Sequence, residues 1–214
     1  MRSTWRFFMS LQDQTSVIES YRQSFLRYGN APEALQWSAE GQRWRFDKLI
    51  EIAANASTHN LQDARLLEIG CGLGHLYPLL RASYGDVDYT GIDIVPELIE
   101  HARSAFPKAK FECRDIFQSP LEEKFDFGFI SGVFNAPYRK DSREFMIAML
   151  KSVFAACRVG LAFNFTTSHV NFISEGTNYF DPEWVLAEVL ANLSKKVILH
   201  HHYHNCDVAV YIYR

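Results

Sequence analysis

Four cysteines in 214 residues, with no two at CxxC spacing, leave this chain without a disulfide frame or a thiolate zinc site. Cys71, Cys113, Cys157 and Cys206 are scattered along the chain and read as free thiols in a reducing compartment. There is no basic run, and the net charge is −3, so a nucleic-acid backbone is a disfavoured partner, although a small modified base is allowed as a substrate. No apolar run reaches the ~20 residues that cross a bilayer. The opening "MRSTWRFFMSLQDQ" lacks the apolar core of a secretory signal. The expectation is a soluble, cytoplasmic protein with no membrane partner. Internal repeats, low-complexity linkers and a phosphate loop ending in GK[ST] are also missing.

What is present is a core-forming chain of 48% hydrophobic residues, enough for one main domain. Residues 13–28 and 40–56 have helical periodicity, with the turn-rich "GNAPEALQW" between them. From residue 65 the pattern alternates. Strands are expected at 65–69, 87–93, 110–115, 125–130, 159–165, 195–201 and 207–214. Helices are expected at 75–84, 96–106, 142–157 and from Asp181-Pro182 to Leu193, with Asp141 and Glu144 offering a capping box. The alternation predicts an α/β doubly wound sheet of seven strands, mostly parallel, with helices on both faces. About five residues separate the last two strands, too few for a crossover, so the C-terminal strand is expected to run antiparallel. Residues 1–39 read as an N-terminal helical extension or cap, and 40–214 as the main domain.

In such sheets ligands sit beyond the carboxyl ends of the strands, and four of those ends carry chemistry here. "LLEIGCGLGHL" places Gly70, Gly72 and Gly74 after the first strand, behind Glu68. The spacing is GxGxG, and His75 occupies the position where a dinucleotide fingerprint needs its last glycine. Asp93, followed by Ile94, ends the second strand and suits two ribose hydroxyls, a feature shared by NAD and S-adenosylmethionine sites. Asp115 and Ile116 follow the third strand and suit an adenine amine and its apolar edge. After the fourth strand, Ser131 and Gly132 bring backbone close to the far end of a ligand.

Taken in order, these four features resemble the class I S-adenosylmethionine-dependent methyltransferases, over about residues 40–214. "WSAEGQRWRF" and "VAVYIYR" resemble a subgroup of small bacterial members with poorly defined substrates. The resemblance implies S-adenosylmethionine as cofactor and methyl transfer to a small-molecule acceptor, on oxygen or nitrogen. It also implies that Trp37, Gln42 and Arg45 close over the methionine end, with Arg45 pairing its carboxylate. Two alternatives are a non-catalytic module that only binds the cofactor, and an amino-group methyltransferase acting on protein or nucleobase. The latter is suggested by "NAPY", whose register relative to Asp126 does not match.

Phe134, Asn135 and Tyr138 are expected to line the acceptor pocket together with Trp37. The long segment "TTSHVNFISEGTNYF" is expected to form a wall or lid over it, carrying Tyr179 and a candidate base, His169. The catalytic residues are otherwise unassigned. His200, His202 and His204 in "LHHHYHN" read as a polar hairpin end, so no metal is expected.

Overall fold

The computed structural model describes residues 11–56, 61–136 and 141–214. The first helix, α1, runs Leu11–Tyr28, and a 3-10 turn at Pro32–Leu35 leads into α2 (Ala39–Ile50). Ser38 starts α2 by accepting the Gly41 N–H at 3.0 Å. The expected helix over 40–56 is α-helical only to Ile50 and tightens into a 3-10 turn at Glu51–Asn55.

Five strands and three helices follow, with no helix between the third and fourth strands. They are β1 (Arg65–Ile69), α3 (Leu76–Tyr84), β2 (Asp88–Asp93), α4 (Pro96–Ala105), β3 (Lys110–Cys113), β4 (Phe125–Ile130), α5 (Ser142–Ala156) and β5 (Cys157–Thr166). The chain ends with α6 (Pro182–Asn192), β6 (Lys196–His200) and β7 (Asp207–Tyr213). Asp181 caps α6 through the Trp184 N–H at 3.0 Å, with Pro182 at its first position. Asp141 precedes α5 without a side-chain capping bond, so the expected capping box does not form. Strand β3 stops two residues short of expectation, because Asp115 accepts the Phe117 N–H at 2.9 Å and turns the chain.

The sheet order is β3-β2-β1-β4-β5-β7-β6. The pairings from β3 through β5 are parallel, whereas β7 runs antiparallel to both β5 and β6. Six strands thus share one direction, and the single reversed strand is the last, as the short final connection requires. Adjacent residues serve opposite faces. Leu67 and Phe163 join the core with α5 and α6, while Leu66 and Ala162 join the core with α2, α3 and α4. Strand order reverses between β1 and β4, and the carboxyl ends there open a crevice. Helix α1 lies over it, packed through Ile18, Tyr21 and Phe25 on a small cluster of Ala34, Leu73, Val95 and Leu98.

Candidate functional site

At the end of β1 the chain turns back sharply. The Gly70 and Cys71 N–H groups both donate to the Ile92 carbonyl, at 2.8 and 3.2 Å. Gly70 has φ +73°, and a Cβ there would lie 2.3 Å from Val133, so only glycine fits. Asp93, at the end of β2, ties this turn to the start of α4. Its Oδ2 accepts the Gly72 N–H at 2.8 Å and its Oδ1 accepts the Val95 N–H at 3.0 Å. Each carboxylate oxygen has a further lone pair, and Asp93 lines the cleft. Burial raises the Asp93 carboxyl above its ordinary range, opposed by those backbone N–H groups. Beneath the turn, the buried Glu68 accepts the Tyr89 hydroxyl. Desolvation pushes its carboxyl up to about 8 despite that bond, and the nearby Asp93 adds to the rise.

The cleft encloses about 870 Å³, its mouth included. Glu68, Gly70, Gly72, Asp93, Ser131 and Gly132 form its floor and far wall. Through Gly70, Asp93, Ile94 and Val133 it continues into a second lobe, lined by Asp115, Ile116, Phe117, Phe145 and Met149. Apart from Asp93, Arg114 and Asp115, this lobe is lined by apolar side chains and glycine. The Asp115 carboxylate also accepts Gln14 Nε2 of α1 and Gln118 Nε2, both at 3.1 Å. The two cavities thus adjoin across a shared carboxylate, Asp93, with the slot at one end. The opposite end is built of close-approaching backbone.

Residues 66–158 match a family model described as methyltransferase domain. A Mycobacterium tuberculosis protein named "Putative methyltransferase Rv1506c" is 30% identical over 141 residues, which is 64% of this chain and 84% of that one. The chain belongs to the class I methyltransferases. Its match to the malonyl-[acyl-carrier protein] O-methyltransferase of Acetivibrio thermocellus is 41% identical over 63 residues, spanning only 22% of that enzyme. The fold matches magnesium protoporphyrin IX methyltransferase of Synechocystis PCC 6803, solved with bound SAM. There the TM-score is 0.69 at 16% identity, covering 96% of this chain and 98% of that one.

S-adenosylmethionine is the cofactor of this family, and the cleft fits it in three places. Asp93 keeps a lone pair on each oxygen toward the cleft, the Asp115 lobe is a slot of the kind a planar base requires, and Ser131 with Gly132 puts backbone at the other end. Gly132 is built for close approach, since a Cβ there would lie 2.1 Å from the Trp37 ring. Its N–H donates to Asn164 Oδ1 at 2.9 Å.

Beyond Trp37 lies a second pocket of about 980 Å³, mouth included. It shares Tyr21, Leu35, Trp37, Gly132 and Ala136 with the cofactor cleft of this methyltransferase. Asn135 and Tyr179 line it, as does much of the 166–180 segment. Other expected pocket residues are placed elsewhere. Phe134 is core, packed edge-on against Phe145 and Phe163, because it follows the turn inward. His169 is exposed and is not part of the pocket wall; its Nε2 pairs with Glu183 at 3.0 Å, which raises its pKa. Tyr138 lies outside the described residues.

Arg45 lines the second pocket rather than the cofactor cleft. Its Nε donates to the fully buried Asp207 at 2.8 Å, and its guanidinium lies between the rings of Trp37 and Trp44. Asp207 also accepts Asn164 Nδ2 at 3.0 Å and the Tyr203 hydroxyl. Gln42 is buried and meets His75 at 3.1 Å. Sequence reasoning missed Gln14, Asn164 and Asp207. For Asp207 a signal existed, since a carboxylate opening the apolar "DVAVYIY" demands a buried partner. Among the described residues no group of three His, Cys, Asp or Glu side chains could hold a metal. His204 instead stacks on Trp44 at 4.0 Å.

Proposed function

We propose that the protein transfers the methyl group of S-adenosylmethionine to a small-molecule acceptor held in the second pocket. The supporting observation is the wall that the two cavities share at Trp37 and Gly132, next to the methionine end of the cleft. When bound, the cofactor supplies an electrophilic methyl and a neutral leaving group. The chain's own residues then have to align and to exclude water. Asp93 and Asp115 set the cofactor along the cleft, and the glycine turn lets backbone approach it. Trp37 separates the two cavities, and the 166–180 segment encloses the acceptor side. On this reading residues 1–39 act as a cap on the catalytic part, 40–214. The four cysteines are free thiols, which suits the reducing cytoplasm we infer as its setting.

Titration calorimetry tests the reading. S-adenosylhomocysteine should bind the wild-type protein, and NAD should give no heat. Asp93→Ala should weaken S-adenosylhomocysteine by roughly 30- to 1,000-fold, from two charge-assisted bonds that are partly coupled. The variant should stay folded yet melt lower, because Asp93 also pins the Gly72 and Val95 N–H groups. Unchanged affinity in a folded variant would remove Asp93 from the site.

A further inference from the structure

The second pocket has an unusual chemical balance for an acceptor site. Among the described residues its walls hold hydroxyls and amides, such as Ser38, Asn135, Thr166 and Tyr179, and several aromatic rings. They include no Asp, Glu, His or Lys, and the one charged group is the Arg45 guanidinium. That side chain is only 14% exposed.

A guanidinium carries five N–H groups. In Arg45, Nε donates to Asp207 and one Nη1 hydrogen to the Gly41 carbonyl, at 3.0 Å. The remaining three have no partner among the described residues. The ring faces of Trp37 and Trp44, 3.9 and 4.0 Å from the guanidinium carbon, hold the fork in one plane at the pocket wall. Asp207 cannot follow a ligand into the pocket, because Asn164 and Tyr203 hold it within the fold. N–H groups without partners among the described residues, on a side chain that its ion pair and two rings fix in orientation, make a seat for an anion with paired acceptor oxygens.

Transfer chemistry narrows the anion. A hydroxyl acceptor must lose a proton and so calls for a base. An amine is largely an ammonium near neutral pH, and a guanidinium repels it. A carboxylate is already ionised there. One of its oxygens forms the new C–O bond as the methyl C–S bond breaks, and that electron pair stays on sulfur. The anion and the sulfonium cation become a neutral ester and a neutral thioether, with no proton moved.

We propose that the acceptor is a carboxylate, held by Arg45 in the second pocket, and that the product is its methyl ester. This rests on the methyltransferase reading above.

The test titrates three probes into the protein saturated with S-adenosylhomocysteine: phenylacetate, phenylacetamide and phenethylamine. Calorimetry reads binding, and tryptophan emission reports on Trp37 and Trp44 beside the guanidinium. Phenylacetate should bind at least about tenfold tighter than either neighbour. Arg45→Gln should abolish that preference while S-adenosylhomocysteine affinity stays within about threefold. If removing Arg45 leaves Asp207 too costly to bury, Arg45→Gln combined with Asp207→Asn restores neutrality and is read in the same way. The proposal is overturned if the amide or amine binds as well as the acid, or if no probe binds. It is equally overturned if Arg45→Gln abolishes S-adenosylhomocysteine binding, which would give the guanidinium to the cofactor. Absence of S-adenosylhomocysteine binding to wild type would remove the underlying reading as well. Cofactor binding without acid preference removes only the carboxylate.

Discussion

Glu68 is the residue on which pH acts most directly. It sits under the glycine turn, buried, with Tyr89 as its hydrogen-bond partner and Asp93 close enough to oppose a second negative charge. Burial pushes its carboxyl from 4.5 up to about 8, so at neutral pH the folded protein holds a proton there that the unfolded chain has released. The unfolded state therefore binds fewer protons between those two values, and stability on this account falls as pH rises. The contribution is complete below about 4.5 and is lost as pH passes through about 8. The wild-type melting temperature should accordingly decline from about pH 5 to about pH 9 by more than the remaining groups cause. Glu68→Gln keeps a carbonyl for the Tyr89 hydroxyl and carries no titratable proton. It should flatten that limb and melt on the order of 5–10 °C above wild type at about pH 9. Scanning fluorimetry across pH reads both curves, and parallel profiles would show that Glu68 does not titrate in this range.

Among the elements, α1 lies outside the sheet-and-helix core and still contributes to the cleft. Its Val17 and Tyr21 line the cofactor cleft, and Gln14 reaches Asp115. Its anchorage is the small cluster around Ile18, Tyr21 and Phe25, together with an ion pair between Arg22 and Glu97. That pair is solvated and adds little to the anchorage. An element with few buried contacts opens more readily than the central strands. Amide exchange in α1 should therefore be faster than in β1, β4 and β5. Saturating S-adenosylhomocysteine should slow it at least about tenfold, since only the closed helix completes the cleft. Mass-spectrometric exchange with and without ligand measures this. Ligand binding that leaves α1 exchange unchanged would detach the helix from the cofactor site.

Across the whole molecule, the chemistry gathers at one edge of one sheet. The reversed β7 is inserted between β5 and β6, and its pairing sets Asp207 opposite Thr166. The first residue of an antiparallel strand thereby arrives at the carboxyl end of a parallel one, beside the second pocket. No described cluster offers three metal ligands, and carboxylates, neutral polar side chains such as Gln42 and Ser131, and backbone supply the polar groups of the cleft. S-adenosylhomocysteine affinity and melting temperature should then be unchanged, within about twofold and about 1 °C, in excess EDTA. A loss restored by a divalent ion would reopen the histidine run at His200, His202 and His204.

The amino-acid sequence alone determined the strand and helix order, the single reversed strand and the glycine turn with Asp93 and Asp115. These are local or arithmetic properties. Side-chain period separates strand from helix, a short final connection forbids a crossover, and GxGxG with its following acids lies within about 50 residues. Tertiary structure alone decided where Arg45, Phe134, His169 and Asp207 belong. Phe134 is two residues past a glycine and could face either way; packing against Phe145 and Phe163 turned it inward. His169 found Glu183 across the loop. The partner of Arg45 lies 162 positions away, and nothing local distinguishes pairing with a cofactor carboxylate from pairing with Asp207. Only the antiparallel register of β7 brings that aspartate to it, because a long-range ion pair is chosen by which buried charges the sheet sets side by side.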